Sequence, residues 1–212
     1  MIKFPYAISD FHALRREGYL YLDRTPAIAE LEEAGKQLVF LRPRRFGKSL
    51  LLSMLANYYD VNTAADFAWL FGDLAVGKQP TPEHNQYLIL RWDFSKVSAQ
   101  GDSEQIKAHL FAHVNQSIKS FKMRYQACLC ADSDILVDNA IASFESLAQA
   151  VQNSGYQLYL LIDEYDNFAN EVLVHDPQQR QRYHALLEGE GIFKTLFKVI
   201  KGCASEGQIA RV

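Results

Sequence analysis

Cysteine is scarce in this chain. Only Cys128, Cys130 and Cys203 occur, an odd number with a C-x-C spacing that fits neither a disulfide framework nor a common zinc site. Free or buried thiols in a reducing compartment are the reading that remains. Long apolar runs are missing as well. None approaches the roughly 20 residues that a membrane-spanning helix requires. The N-terminal MIKFPYAISDFHALRREG has neither the apolar core nor the cleavage signature of a secretory signal. Charge of one sign is not in excess either. The formal net charge is −3, so no global basic field draws in nucleic acid. Internal repeats, low-complexity tracts and long charge runs are absent. Together these absences predict a soluble, cytoplasmic protein with no membrane partner.

What is present is an ordinary globular composition, 49% hydrophobic and 22% charged, in a chain long enough to bury a core without staples. Apolar runs at 38–41, 87–94 and 157–162 read as strands. Helical periodicity follows each. It covers 48–59, a short stretch at 64–72, the series Ile106, Leu110, Val114, Ile118 and Phe121, and the series Leu136, Ala140, Phe144, Leu147 and Val151, stopped near Gly155. Helices are also predicted at 178–187 and 192–201. Residues 75–86, with Gly77, Pro80 and Pro82, read as a loop.

Residues 1–35 read as an N-terminal extension, extended over 18–22. Thr25 is then expected as N-cap and Pro26 at the first position of a helix that closes at Gly35. Residues 36–212 form the expected core. Strands alternating with helices predict an α/β fold with a mostly parallel sheet buried on both faces. Residues 209–212 look like the start of a further strand, so a fragment is expected.

Within residues 38–52, LVFLRPRRFGKSLLL, an apolar run ends in a basic turn, then Gly47-Lys48-Ser49 opens a helix. Strand, loop and helix with a lysine and a hydroxyl at the helix start is the layout that binds nucleotide phosphates. The pattern G-x-x-x-x-G-K-[ST] falls on residues 42–49, with Arg42 in place of the first glycine. Gly47 lets the backbone approach phosphate. Lys48 would neutralise the β- and γ-phosphates, and the Ser49 hydroxyl would ligate Mg²⁺. Pro43 removes one N–H donor, so backbone cradling must differ from the usual loop. Contacts to ATP are expected over Arg42, Pro43, Arg44, Arg45, Phe46, Gly47, Lys48, Ser49 and Leu50. On its own G-K-S also fits a solvated basic turn that caps an ordinary helix. The third strand adds the second half, because it runs into Asp163-Glu164. A carboxylate at the C-terminal end of a parallel strand points where ligands bind. Asp163 is the expected metal ligand, and Glu164 would activate water.

With YLYLDRT, FLRPRRFGKSLLLSML, ILRWDFS and YLLIDEYDN on the page, the chain resembles the AAA-ATPase-like domain family over nearly its whole length. Bacterial members usually carry a PD-(D/E)XK-type nuclease domain further along. The family's loop commonly reads R-P-R-R-F-G-K-S, so Arg42 is what the resemblance leads one to expect. The resemblance implies a P-loop NTPase core of the additional-strand class. A sensor strand would be inserted between the first and third strands, and this chain would stop where that strand begins.

The expected function is ATP binding with hydrolysis of Mg-ATP. The alternative is a nucleotide-dependent switch with little turnover, serving a nuclease domain beyond these residues. Nucleic acid enters as a partner only through that fusion, and homo-oligomerisation stays open. Lesser candidates have plainer explanations. Asp93 reads as a turn residue or a support to the site, and Asp166 as a helix cap. His109 and His113, spaced i, i+4, lack a third ligand. Arg180 and Arg182 would serve as trans-acting fingers only in a ring and otherwise sit on a solvated helix face. Tyr19 and Tyr21 read as strand packing rather than an adenine platform.

Overall fold

The computed structural model describes residues 2–41, 43, 46–173 and 191–212, without the side chains of 167 and 171–173. The helix expected at 178–187, and with it Arg180 and Arg182, lies outside the described residues. The chain is α/β and divides into two compact units, Met1–Ile89 with Arg211–Val212, and Leu90–Ala210.

The first unit contains α1 (Phe11–Arg16), α2 (Ala27–Ala34), α3 (Lys48–Tyr59), α4 (Phe67–Phe71) and α5 (Ala75–Lys78), with a 3-10 turn at Val61–Asp66. Residues 1–35 belong to it, and α1 packs on α3. Phe11 stacks on Phe71 at 5.1 Å and meets Tyr21 edge-on at 5.3 Å. Its backbone N–H donates to Ser53 Oγ at 2.9 Å. No sequence periodicity marks α1, but its ends are signed. Asp10 accepts from Ala13 N, and Gly18 follows with φ +67°.

Three local expectations are corrected here. Thr25 does not cap α2. Its hydroxyl donates to Asp23 at 2.6 Å and accepts from Val76 N at 3.2 Å, so Pro26 holds the cap position without a side-chain bond. Asp23 joins it by accepting from Ala75 N at 2.8 Å. The pair therefore caps α5, a helix within the stretch expected to be loop. Residues 38–41 do not form a regular strand. Leu38 N donates to Val212 O and Val212 N to Lys36 O, at 2.9 and 2.8 Å. Past that single pairing Val39 and Leu41 are 70% and 77% exposed. The apolar run forecast burial, but after the Leu38–Val212 bond the residues 39–41 are exposed.

The second unit is built on a parallel sheet in the order β1 (Leu88–Asp93), β2 (Leu158–Asp163), β3 (Ile209–Arg211). Burial of the consecutive Leu88, Ile89 and Leu90 in β1, and of the first four residues of β2, reproduces the both-faces pattern of parallel strands. Around the sheet lie α6 (Ser103–Arg124), α7 (Ala140–Asn153), α8 (Tyr165–Leu173) and α9 (Ile192–Ser205). A capping box starts α6, with Asp102 accepting from Gln105 N at 2.8 Å and Gln105 Oε1 accepting from Asp102 N at 2.9 Å. Its apolar stripe packs on α7. Leu136, expected to open α7, precedes it, because Asn139 caps the helix by accepting from Ala142 N. Phe144 and Trp92 meet with ring centroids 5.2 Å apart. Each fully buried side chain of this kind stabilises the fold by about 1.5–3 kcal/mol. Among the described residues no helix is long and apolar enough to cross a membrane.

Candidate functional site

The loop residues come first, all within the first unit. Gly47 has φ +79° and ψ 24°, a left-handed conformation that side-chain-bearing residues rarely adopt. It sits immediately before Lys48, the first residue of α3, and its carbonyl accepts from Leu51 N at 2.9 Å. Among the described residues no side chain caps this helix, and no acidic residue occupies its first turn. Opening N–H groups and the positive end of a helix dipole are the kind of feature that receives an anion. Lys48, Ser49 and Leu50 are half-buried, whereas Pro43 and Gly47 are exposed and Phe46 is 58% exposed. Arg42, Arg44 and Arg45 lie outside the described residues. Helix-start N–H donors, one lysine and one hydroxyl, with no carboxylate in the first turn of α3, are groups that suit a polyphosphate.

The carboxylates belong to the second unit. β2 ends at Asp163, whose Oδ1 accepts from Glu164 N at 3.1 Å. Glu164 is left-handed, with φ +56°. For a residue with a side chain that conformation costs about 1–3 kcal/mol and is held at functional sites more often than elsewhere. Its carbonyl accepts from Phe168 N at 3.2 Å, so the kink turns β2 directly into α8. Asp163 and Glu164 are both half-buried, and so are open to a hydrated cation and to water. Asp166 lies in the first turn of α8, where a carboxylate is favoured by the helix dipole.

Asp93 closes β1 by capping a 3-10 turn, Phe94–Lys96. It accepts from Ser95 N and Ser95 Oγ at 3.2 and 2.6 Å and pairs with Lys96 at 3.3 Å. Burial works against its ionisation, but the Ser95 hydroxyl and the Lys96 ammonium prevail and hold the carboxyl below its ordinary range. His109 faces Ser98 O, while His113 turns toward Phe94. Among the described residues no group of three or more His, Cys, Asp or Glu side chains is placed to hold a metal. Tyr19 bridges to Lys3, and the Tyr21 hydroxyl reaches Met54 Sδ at 3.1 Å. Both tyrosines are therefore engaged in packing. Arg211 and Glu83 escaped the sequence reading altogether. Their ion pair spans 128 positions, and no local pattern announces it.

A family profile described as "Predicted AAA-ATPase" matches residues 5–212. The chain is also similar to a protein of Azotobacter chroococcum mcd 1 described as "Uncharacterized protein in vnfD 5'region", with 27% identity over 175 residues. That alignment covers 77% of this chain and 29% of the relative, so the chain spans less than a third of the relative's length. No solved structure matches.

Proposed function

The chain belongs to the AAA-ATPase-like family, and from that membership we propose that it binds ATP through residues 42–50 and hydrolyses it with Mg²⁺. Family membership gives the nucleotide-binding role. The finer assignment is supported above all by one observation, the left-handed Gly47 leading into an uncapped helix whose first residue is Lys48. In this reading the N–H groups at the start of α3 receive phosphate oxygens, and Lys48 offsets the charge of the β- and γ-phosphates. Ser49 Oγ and the Asp163 carboxylate are the ligands proposed for Mg²⁺. An ion held there would supply positive charge to offset that of the phosphates. Glu164 orients the attacking water and accepts its proton.

A second reading, nucleotide-dependent switching with little turnover, is favoured by the loop's composition. Arg42 replaces the first glycine, and Pro43 has no N–H to donate. One experiment separates the two. Binding of a fluorescent ATP analogue and phosphate release are measured on the full-length protein, on Lys48→Ala and on Glu164→Gln. Lys48→Ala is expected to weaken binding by about 100-fold. Unchanged affinity there would overturn the nucleotide site. Glu164→Gln is expected to bind normally and release no phosphate. An unmutated protein that binds but releases none decides for the switch.

A further inference from the structure

Arg211, at the end of β3, has no part in the chemistry above, yet its side chain is only 10% exposed. It grips Glu83 fork to fork, Nε donating to Oε2 at 2.8 Å and Nη2 to Oε1 at 2.7 Å. The third nitrogen, Nη1, donates to the carbonyls of Glu32 at 3.1 Å and Gly35 at 2.8 Å. Those carbonyls end α2, whose last turn has no basic residue of its own. A guanidinium placed there satisfies open carbonyls and meets the negative end of the helix dipole. Beside it, Val212 exchanges backbone hydrogen bonds with Lys36 and Leu38. Residues 211 and 212 together fasten the segment from Gly35 to Leu38, the root of the phosphate loop.

The same network reaches the C-terminal end of α3, the helix that the loop opens. Glu32 Oε1 accepts from the hydroxyls of Tyr59 and Thr81, each at 2.8 Å, and Tyr59 is the last residue of α3. Tyr87 completes it by donating to Glu83 Oε2 at 3.0 Å. The hydrogen bond from Arg211 is the largest influence holding the Glu83 carboxyl below its ordinary range. Beyond Leu38, the described residues Val39, Leu41 and Phe46 are exposed, so burial does little to fix their positions.

We propose that Arg211 is the positioning residue of the phosphate loop, setting through Glu83, Glu32 and Gly35 where the chain enters residues 39–47. This rests on the nucleotide reading of that loop. Lysine is not equivalent, because it cannot make the planar fork that holds one carboxylate and two carbonyls together.

The test uses full-length protein, at a temperature where circular dichroism shows every variant folded. Arg211→Met is expected to weaken binding of a fluorescent ATP analogue about tenfold or more, with Arg211→Lys in between. Glu83→Gln, which keeps the carbonyl contacts, is the milder variant if Arg211→Met does not fold, and is expected to lose affinity in the same direction. In a Phe46→Trp background without nucleotide, the emission of the loop tryptophan is expected to shift when Arg211 is replaced. Variants that melt earlier but keep the parent's affinity and emission would reduce Arg211 to a structural residue and overturn the inference. A parent that binds no ATP, with emission that still shifts, would remove the nucleotide reading and leave Arg211 shaping the loop.

Discussion

His113 shows how a single residue couples burial to pH. Its Nε2 is buried with no hydrogen-bond partner among the described residues, and its ring centroid lies 6.1 Å from that of Phe94. Burial pushes the imidazole below its ordinary value. The Asp93 carboxylate works against that shift, and the Lys96 ammonium reinforces it. The unfolded chain takes up a proton near pH 6.5 while the native imidazole stays neutral, so this residue draws stability down as pH falls through about 6.5. The loss levels off once the native ring titrates. His113→Phe removes both the titration and the unpartnered nitrogen. Its melting temperature is expected to gain on the parent's at pH 5.5, with the gap narrowing toward pH 8. Melting curves that run parallel across that range would refute the assignment.

Among the elements, α5 is the tightest fit. A Cβ built on Gly77 would lie 1.9 Å from the backbone oxygen of Phe71, which cannot swing aside as a side-chain tip can. Gly77→Ala is therefore expected to destabilise the protein by about 1–3 kcal/mol, read from denaturant midpoints at unchanged slope. The sequence announces this glycine only as a loop breaker, since its role depends on which backbone lies opposite. Where the signal is local, reading succeeds. β1 and β2 follow from runs buried on both faces, and α6 from its stripe and its Asp102–Gln105 box. The patterns around Gly47-Lys48 and Asp163-Glu164 do fall at element ends, the start of α3 and the end of β2, while their role in binding nucleotide is a proposal. Reading fails where a partner is remote. Residues 38–41 look like a buried strand because apolarity forecasts burial but not how far pairing extends. Thr25 looks like a cap for the helix beside it, yet its hydroxyl serves α5, about 50 residues on. The left-handed backbone of Glu164 is illegible, because nothing in a glutamate codes for positive φ. Arg211 and Glu83 are illegible because no local pattern links positions that far apart.

For the molecule as a whole, the proposed nucleotide site predicts linkage between ligand and stability. Mg-ATP at about 100 times its Kd is expected to stabilise the folded protein by about 2.7 kcal/mol, seen as a rise in melting temperature. The rise should vanish in Lys48→Ala, and an equal rise in that variant would speak against the site. The division of the chain has a further consequence, in time. The first unit takes its last two residues, Arg211 and Val212, from the far side of the second. During synthesis the ribosome delivers residues 1–89 on the order of ten seconds before Arg211 emerges. For that interval Glu83 lacks the Arg211 guanidinium, the carbonyls of Glu32 and Gly35 lack its third nitrogen, and Lys36 and Leu38 lack their backbone bonds to Val212. The nascent first unit is left incomplete, and it can close only after the second unit has been made.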